Sequence, residues 1–341
     1  MIVAPYSKLV EVQVRPFTAR TLKEPDEAYD IVLATLGYEE RARAIAQAVG
    51  SAPHLAACGF DSHRALSYEE NRAWFSDNGF LVVEPGDANY RAWLDTWLSE
   101  AVASAGTTAG DVAPPIRVAI DVSSMTRSRI AYALETALQL GERHPLAVDF
   151  LYTPALYLDP PEEPDFTASI EPVTPFFRGW PPDPMRPPAA LIGLGYEIDK
   201  AAGAKEYLEL KDIWAFMAEG DDPLYAEKVR ENNELLWDEI ESERVVQYAI
   251  SDPYGLFVQL ESQLFGMLRQ GRALVLPMGP KIFALVSMVA ALHHHPEVGV
   301  WRVRQLETPV QRVSSGQLYG LRVLLGSAVE DGAAARGHKP G

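Results

Sequence analysis

Ile31-Val-Leu-Ala-Thr-Leu-Gly-Tyr-Glu39 and Leu191-Ile-Gly-Leu-Gly-Tyr-Glu197 are stretches of one kind, an apolar run closed by Leu-Gly-Tyr-Glu. Outward from each, the chain keeps one grammar. An Asp follows both, in Cys58-Gly-Phe-Asp61 and in Met217-Ala-Glu-Gly-Asp221, and each Asp precedes a helix-patterned segment carrying an Asn, Asn71 and Asn232. Next come Val82-Val-Glu-Pro-Gly-Asp87 with Tyr90, and Val246-Gln-Tyr-Ala-Ile-Ser-Asp252 with Tyr254. Both lead into amphipathic helices, expected over 90–102 and 254–268. Then Val118-Ala-Ile-Asp-Val-Ser-Ser-Met-Thr-Arg127 runs into a helix over 130–140, and Ala273-Leu-Val-Leu-Pro-Met-Gly-Pro-Lys281 into one over 282–292. A last strand closes each half, at 147–152 and 298–303.

Short continuous apolar runs alternating with helical periodicity mark parallel strands covered on both faces. Right-handed crossovers wind such strands into a doubly wound sandwich. The chain therefore reads as an α/β protein with two duplicated Rossmann-like doubly wound parallel sheets, at 29–155 and 189–305. Between them, 156–188 is dense in proline, which favours extended backbone and predicts a linker. Residues 1–28 hold an alternating stretch and predict an N-terminal strand or hairpin. Residues 306–326 predict one or two C-terminal strands, and the small, polar 327–341 a disordered tail.

The balance of 30 Lys+Arg against 47 Asp+Glu gives a formal net charge of −17. That disfavours gripping a long duplex, which needs clustered cations, but leaves room for a small anion held by local ones. The single Cys58 allows no intrachain disulfide and no Cys-based zinc site. The start carries no signal-peptide pattern, and the apolar run 282–292 falls short of the roughly 20 residues of a membrane span, so a cytoplasmic location without a membrane partner is expected. There is no Walker loop, no Gly-x-Ser-x-Gly elbow and no His-Glu-x-x-His; Gly193-Leu-Gly195 opens a dinucleotide fingerprint that lacks its third glycine. His293, His294 and His295 read as a helix end complementing the dipole. Neither a cofactor nor a metal is expected.

Open parallel sheets bind ligands outside the carboxyl ends of their strands. The candidate ligand-binding residues fall there: Gly37, Tyr38 and Glu39, with Arg41, after the first strand; Asp61, with Ser62 and His63, after the second; Asp121, Ser123, Ser124, Thr126 and Arg127 after the fourth. Glu84 and Asp87 follow the third strand. The second half supplies Gly195, Tyr196, Gly279 and Lys281. Hydroxyls and an Arg at a strand-to-helix turn form an anion cradle, because helix amides favour negative charge and a guanidinium forks onto phosphate. Gly279 permits close backbone approach, and Lys281 brings charge. The plainer alternatives are Ser and Thr as helix N-caps, and Arg127 paired with Asp121 or Glu39 to hold the turn. Tyr38, Tyr196, Tyr90 and Tyr254 are candidate surfaces for stacked bases.

Asp121-Val-Ser-Ser-Met-Thr-Arg127 resembles the strand-end motif Asp/Asn-x-Thr-Gly-Gly-Thr-Lys of CARF domains, Rossmann-like sensors of cyclic oligonucleotides in prokaryotic antiviral defence. Asp121, Ser123, Thr126 and Arg127 match in kind, and Ser124 and Met125 stand where that family has glycines. CARF domains pair about a pseudo-twofold axis with the ligand between them. The SAVED domain looks like two such units fused in one chain, and 29–155 with 189–305 resembles that plan. The resemblance implies a cyclic-oligonucleotide sensor subunit acting through a partner effector, with a cleft made cationic by Arg41, Arg127 and Lys281. Two other readings remain open. One is a ring nuclease, with Ser123, Ser124 and Arg127 aligning a ribose 2′-oxygen on its phosphate. The other is a structural subunit of a defence complex.

Overall fold

In the computed structural model of the protein, residues 10–19, 28–62, 64–106, 114–160, 167–180, 183, 185–305 and 309–326 are described. The first unit runs β2 (Ile31–Thr35), α1 (Ala44–Val49), β3 (His54–Cys58), α2 (Tyr68–Asp77), β4 (Leu81–Val83), α3 (Asp87–Gly106), β5 (Ile116–Asp121), α4 (Arg127–Gly141) and β6 (Leu146–Tyr152). The second runs β8 (Pro188–Gly193), α5 (Lys200–Tyr207), β9 (Asp212–Glu219), α6 (Pro223–Glu231), α7 (Glu234–Trp237), β10 (Val245–Ala249), α8 (Pro253–Gln270), β11 (Arg272–Pro277), α9 (Lys281–His293) and β12 (Gly299–Gln305). All pairings among the five strands of each unit are parallel. The order is the same in both: β6-β5-β2-β3-β4 and β12-β11-β8-β9-β10. The first strand is central, and the chain reverses its direction of winding between β2 and β5 and between β8 and β11, the topological switch points of this architecture.

Antiparallel strands complete each sheet. β13 (Tyr319–Leu325) pairs with β6, and β1 (Val12–Pro16) pairs with β13, so the expected N- and C-terminal strands both extend the first sheet. The proline-dense stretch 156–188 does more than link, because it contributes β7 (Thr167–Pro172), antiparallel to β12. The segment 167–171 is free of proline, and β7 is an edge strand ending on Pro172, a position where a missing N–H is tolerated. Residues 1–9 and 20–27, part of the linker, His63 and the tail 327–341 lie outside the described residues.

The apolar strands divide their side chains by the period of two that the pleat imposes. Ile31, Leu33, Val118, Ile120, Val148 and Phe150 join one core, while Val32, Ala34, Ala119 and Leu151 face the outer cluster under α1 and α2. In the second sheet Leu191, Val275 and Val300 join that same inner core, while Ala190, Ile192, Ala215 and Leu276 face α5 and α7. The inner core is thus one body. Helices α3, α4, α8 and α9 lie between the two sheets, with α4 packed on α9. Each of this pair follows the fourth strand of its unit, β5 or β11, so like packs against like, as in an isologous contact. Among the described residues, no helix is long and apolar enough to cross a membrane.

A shared core couples the units energetically. Leu134 of α4 is fully buried in it. Leu134→Ala is expected to cost about 2–5 kcal/mol, the usual range for emptying such a site. Denaturant unfolding followed by both fluorescence and far-UV circular dichroism is expected to stay a single transition, because the inner helices lose their apolar partner surface when either unit unfolds.

Candidate functional site

Two glycine-containing turns define the strand ends. In the first unit, Gly37 lies so close to the turn after β5 that a Cβ there would sit 3.0 Å from Ser124 Cβ. In the second, a Cβ on Gly279 would sit 2.6 Å from the carbonyl oxygen of Leu194. In both units, therefore, the turn after the first strand touches the turn after the fourth, and glycine is what allows it. The Asn residues expected to correspond do corresponding work. Asn71, fully buried, donates from Nδ2 to the carbonyls of Gly37 and Glu39, both at 2.8 Å. Asn232 donates to Tyr196 O (2.5 Å), and its neighbour Asn233 to Gly195 O (3.0 Å). Each Leu-Gly-Tyr-Glu turn is thus held by an amide from the helical segment after the second strand.

Arg127 joins the two sets of turns. Its Nε donates to Pro277 O, and its Nη2 to Met278 O (2.9 Å) and Gly279 O (3.0 Å). The guanidinium of the first unit therefore caps the carbonyls that end β11 in the second. These three bonds all run to backbone carbonyls of the second unit. Thr126 caps α4, its Oγ1 accepting from Arg129 N at 3.3 Å. Ser123 is buried, with Oγ accepting from Thr153 N at 3.0 Å and its own N–H donating to Asp121 Oδ1 at 2.8 Å.

Glu39 is the electrostatic centre. Its Oε2 accepts from Arg41 Nε at 2.7 Å and from Ser124 Oγ at 3.3 Å, and its Oε1 lies 3.4 Å from Arg312 Nε. Arg41 is itself buried and donates onward to Thr153 O (2.9 Å) and Ser123 O (3.2 Å). Arg312 reaches the second unit, its guanidinium carbon 5.9 Å from the centre of the Tyr196 ring. Tyr196 in turn neighbours Tyr225 at 5.6 Å between centroids. Arg312 belongs to the strap 309–317, which carries the chain from the second sheet back to the first. The strap is tied down by Arg41 N to Arg312 O (3.2 Å), Leu156 N to Val313 O (2.9 Å) and Ser315 N to Pro154 O (2.9 Å).

The structure therefore gathers Glu39, Ser123, Ser124 and Arg127 with Tyr196 and Gly279 around one junction, and Lys281 opens α9 directly after it. Gly37 and Gly195 shape the turns beneath. Asp61 is exposed and sits against Gly86 of the turn after β4, and Tyr38 packs toward the outer core of the first unit. Tyr90 is buried under the Arg129 guanidinium, 4.5 Å from its ring centre, and Tyr254 packs near Phe257. Sequence reasoning missed Arg312 and Arg129. Arg312 sits in a loop without any motif. Arg129 is 2 % exposed and donates to Gly59 O, Pro85 O and Asp87. Its signal was its place on the apolar face of α4, where a charge demands partners. Among the described residues, no cluster of His, Cys, Asp and Glu is arranged to hold a metal ion. No protein-family model matches this chain, and no curated protein matches it.

Asp121 ends β5 fully buried at the first switch point, and its Oδ2 has no hydrogen-bond partner among the described residues. Burial pushes its carboxyl up to about 6, against the pull of the Ser123 hydrogen bonds. Two outcomes follow from this geometry. Arg127→Ala removes charge-assisted bonds between the units and is expected to lower stability by about 1.5–3 kcal/mol, with Arg127→Lys recovering only part because it cannot fork. For Asp121 the folded state holds the proton more tightly than the unfolded chain. Its stabilising contribution is present below about pH 4 and is lost as pH rises through about 6. Asp121→Asn lacks that loss. Its stability relative to the parent is expected to improve by about 3 kcal/mol between pH 4 and pH 7, read by denaturant titration at each pH.

Proposed function

We propose that the junction between the two units binds a nucleotide carrying repeated phosphates, and that the chain is a second-messenger sensor subunit. The resemblance of 121–127 to the CARF strand-end motif, and of the two-unit plan to SAVED, narrows the ligand to a cyclic oligonucleotide. It also sets the role in prokaryotic antiviral defence, through a partner effector. The observation that carries this reading is Arg127, which brings the strand-end turns of both units together over three carbonyls. A cyclic ligand presents like groups on opposite sides, and the junction presents like-built turns from opposite units. Arg41, Arg127, Arg312 and Lys281 supply positive charge there, and distant acids are screened beyond roughly 8 Å at physiological salt. Tyr196 and Tyr225 offer aromatic faces.

In this reading a ligand phosphate takes up guanidinium bonds that Glu39 now makes with Arg41 and Arg312. Binding without turnover is favoured over the ring-nuclease alternative, since Ser123 Oγ is occupied by Thr153 N and Ser124 Oγ by Glu39. The engagement of Arg127 by backbone is also what a structural subunit would have.

A thermal-shift panel of cyclic di-, tri- and tetranucleotides with linear controls separates the three. At a hundred times Kd the sensor reading expects about 2.7 kcal/mol of stabilisation by a cyclic ligand and no cleavage product. Lys281→Ala is expected to weaken that ligand at least tenfold without lowering Tm. Cleavage of the ligand would transfer the assignment to a nuclease, and silence across the panel would leave the structural subunit.

A further inference from the structure

We infer that a second cavity, separate from the junction, is a binding site for a nucleoside monophosphate. The cavity encloses about 380 Å³ between the first turns of α3 and α4 on one side and the segment 171–178 with Arg302 of β12 on the other. That volume lies within the range of small-molecule sites, which are about 300–1,000 Å³. None of the junction residues lines it.

The walls are already fixed in place. Ser128 Oγ donates to Val173 O at 2.8 Å, Thr174 Oγ1 donates to Glu135, and Val173 N donates to Val300 O at 3.0 Å. The segment from the second unit is thus riveted to α4 beside the opening, so a ligand meets a preformed surface and little ordering cost.

The lining sorts into the three parts of a nucleotide. Arg178 is exposed at the rim and makes no ion pair among the described residues. Arg302 directs Nε and Nη2 at a single oxygen, Oε1 of Glu171, at 3.2 and 2.7 Å. Together they suit a phosphate monoester, which guanidinium groups hold with charge-assisted bonds. Across the cavity, Asp87 accepts from Arg129 Nε on Oδ1 at 3.1 Å and leaves its side chain 69 % exposed, an acceptor for a ribose hydroxyl. Tyr132 supplies an aromatic wall for a base.

Isothermal titration of the full chain with AMP, GMP, CMP, UMP and inorganic phosphate tests this site. The expected result is saturable binding of at least one mononucleotide, weakened at least tenfold in Arg178→Ala with unchanged Tm and unaffected in Lys281→Ala. Absence of binding to millimolar concentration would overturn the inference. Loss in Lys281→Ala but not in Arg178→Ala would overturn it too, by assigning the nucleotide to the junction. Phosphate binding as tightly as every mononucleotide would remove the nucleoside from the ligand class. The outcome is independent of the messenger panel, because the two sites share no residue.

Discussion

The inner faces of the two sheets and the helices between them form one apolar core. Leu33, Ile120 and Phe150 of the first and Leu191, Val275 and Val300 of the second point into one layer of helices, and α4 and α9 are packed on each other within it. A doubly wound unit normally owns helices on both faces. Here the outer helices pack in separate clusters, while the inner four merge into one core, and α8 reaches β1 and β13 of the first sheet. The consequence is orientational. Once α4 and α9 are packed, the turns that precede them are neighbours, and the carboxyl ends of both sheets open toward one place. Arg127 finishing the carbonyls of 277–279 is the polar seal on an arrangement that apolar packing has already set.

The polar network then makes that arrangement specific. Apolar layers tolerate sliding, whereas hydrogen bonds to fixed carbonyls do not. Asn71, Asn232 and Asn233 pin the two Leu-Gly-Tyr-Glu turns, and Gly37 and Gly279 let each turn touch its neighbour. The strap 309–317 adds a third tie, since it leaves the second sheet at β12 and enters the first at β13 while bonding to the turn at Arg41. Drawing the units apart would pull this strap from Arg41, Pro154 and Leu156 of the first unit.

How much of this the sequence disclosed follows from range. Strands and helices announce themselves by period, so the order of elements was legible from 31 to 303 except for α7, a single turn of helix too short to show a period, and the shared Leu-Gly-Tyr-Glu with its Asn marked the turns. The strand β7 was hidden because proline density dominates its surroundings, although 167–171 contains none. Arg127 was legible as a strand-end cation but not as a bridge, because its partners are backbone carbonyls, and a carbonyl carries no letter. Arg312 was invisible for a related reason. Its meaning comes from Glu39 and Tyr196, and only the folded strap brings the three together.

Charge explains why the junction is built from ion pairs rather than bare cations. In a chain of net charge −17, a cluster of uncompensated guanidiniums beside buried backbone would attract whatever acid lay within reach, and Glu39 is that acid. Arg41 is too deeply buried to be left alone, since an unpaired buried charge costs several kcal/mol, so the carboxylate contributes to the integrity of the first unit. Arg312, more exposed and sharing the same carboxylate, is bound less tightly by that requirement. In the proposed reading the affinity for a phosphate is therefore a difference: the bonds it forms with Arg312 and Arg41, less those Glu39 gives up. Selectivity arises from the same subtraction. A single carboxylate or chloride offers no more than Glu39 already supplies, whereas a ligand with several phosphates gains at both units at once.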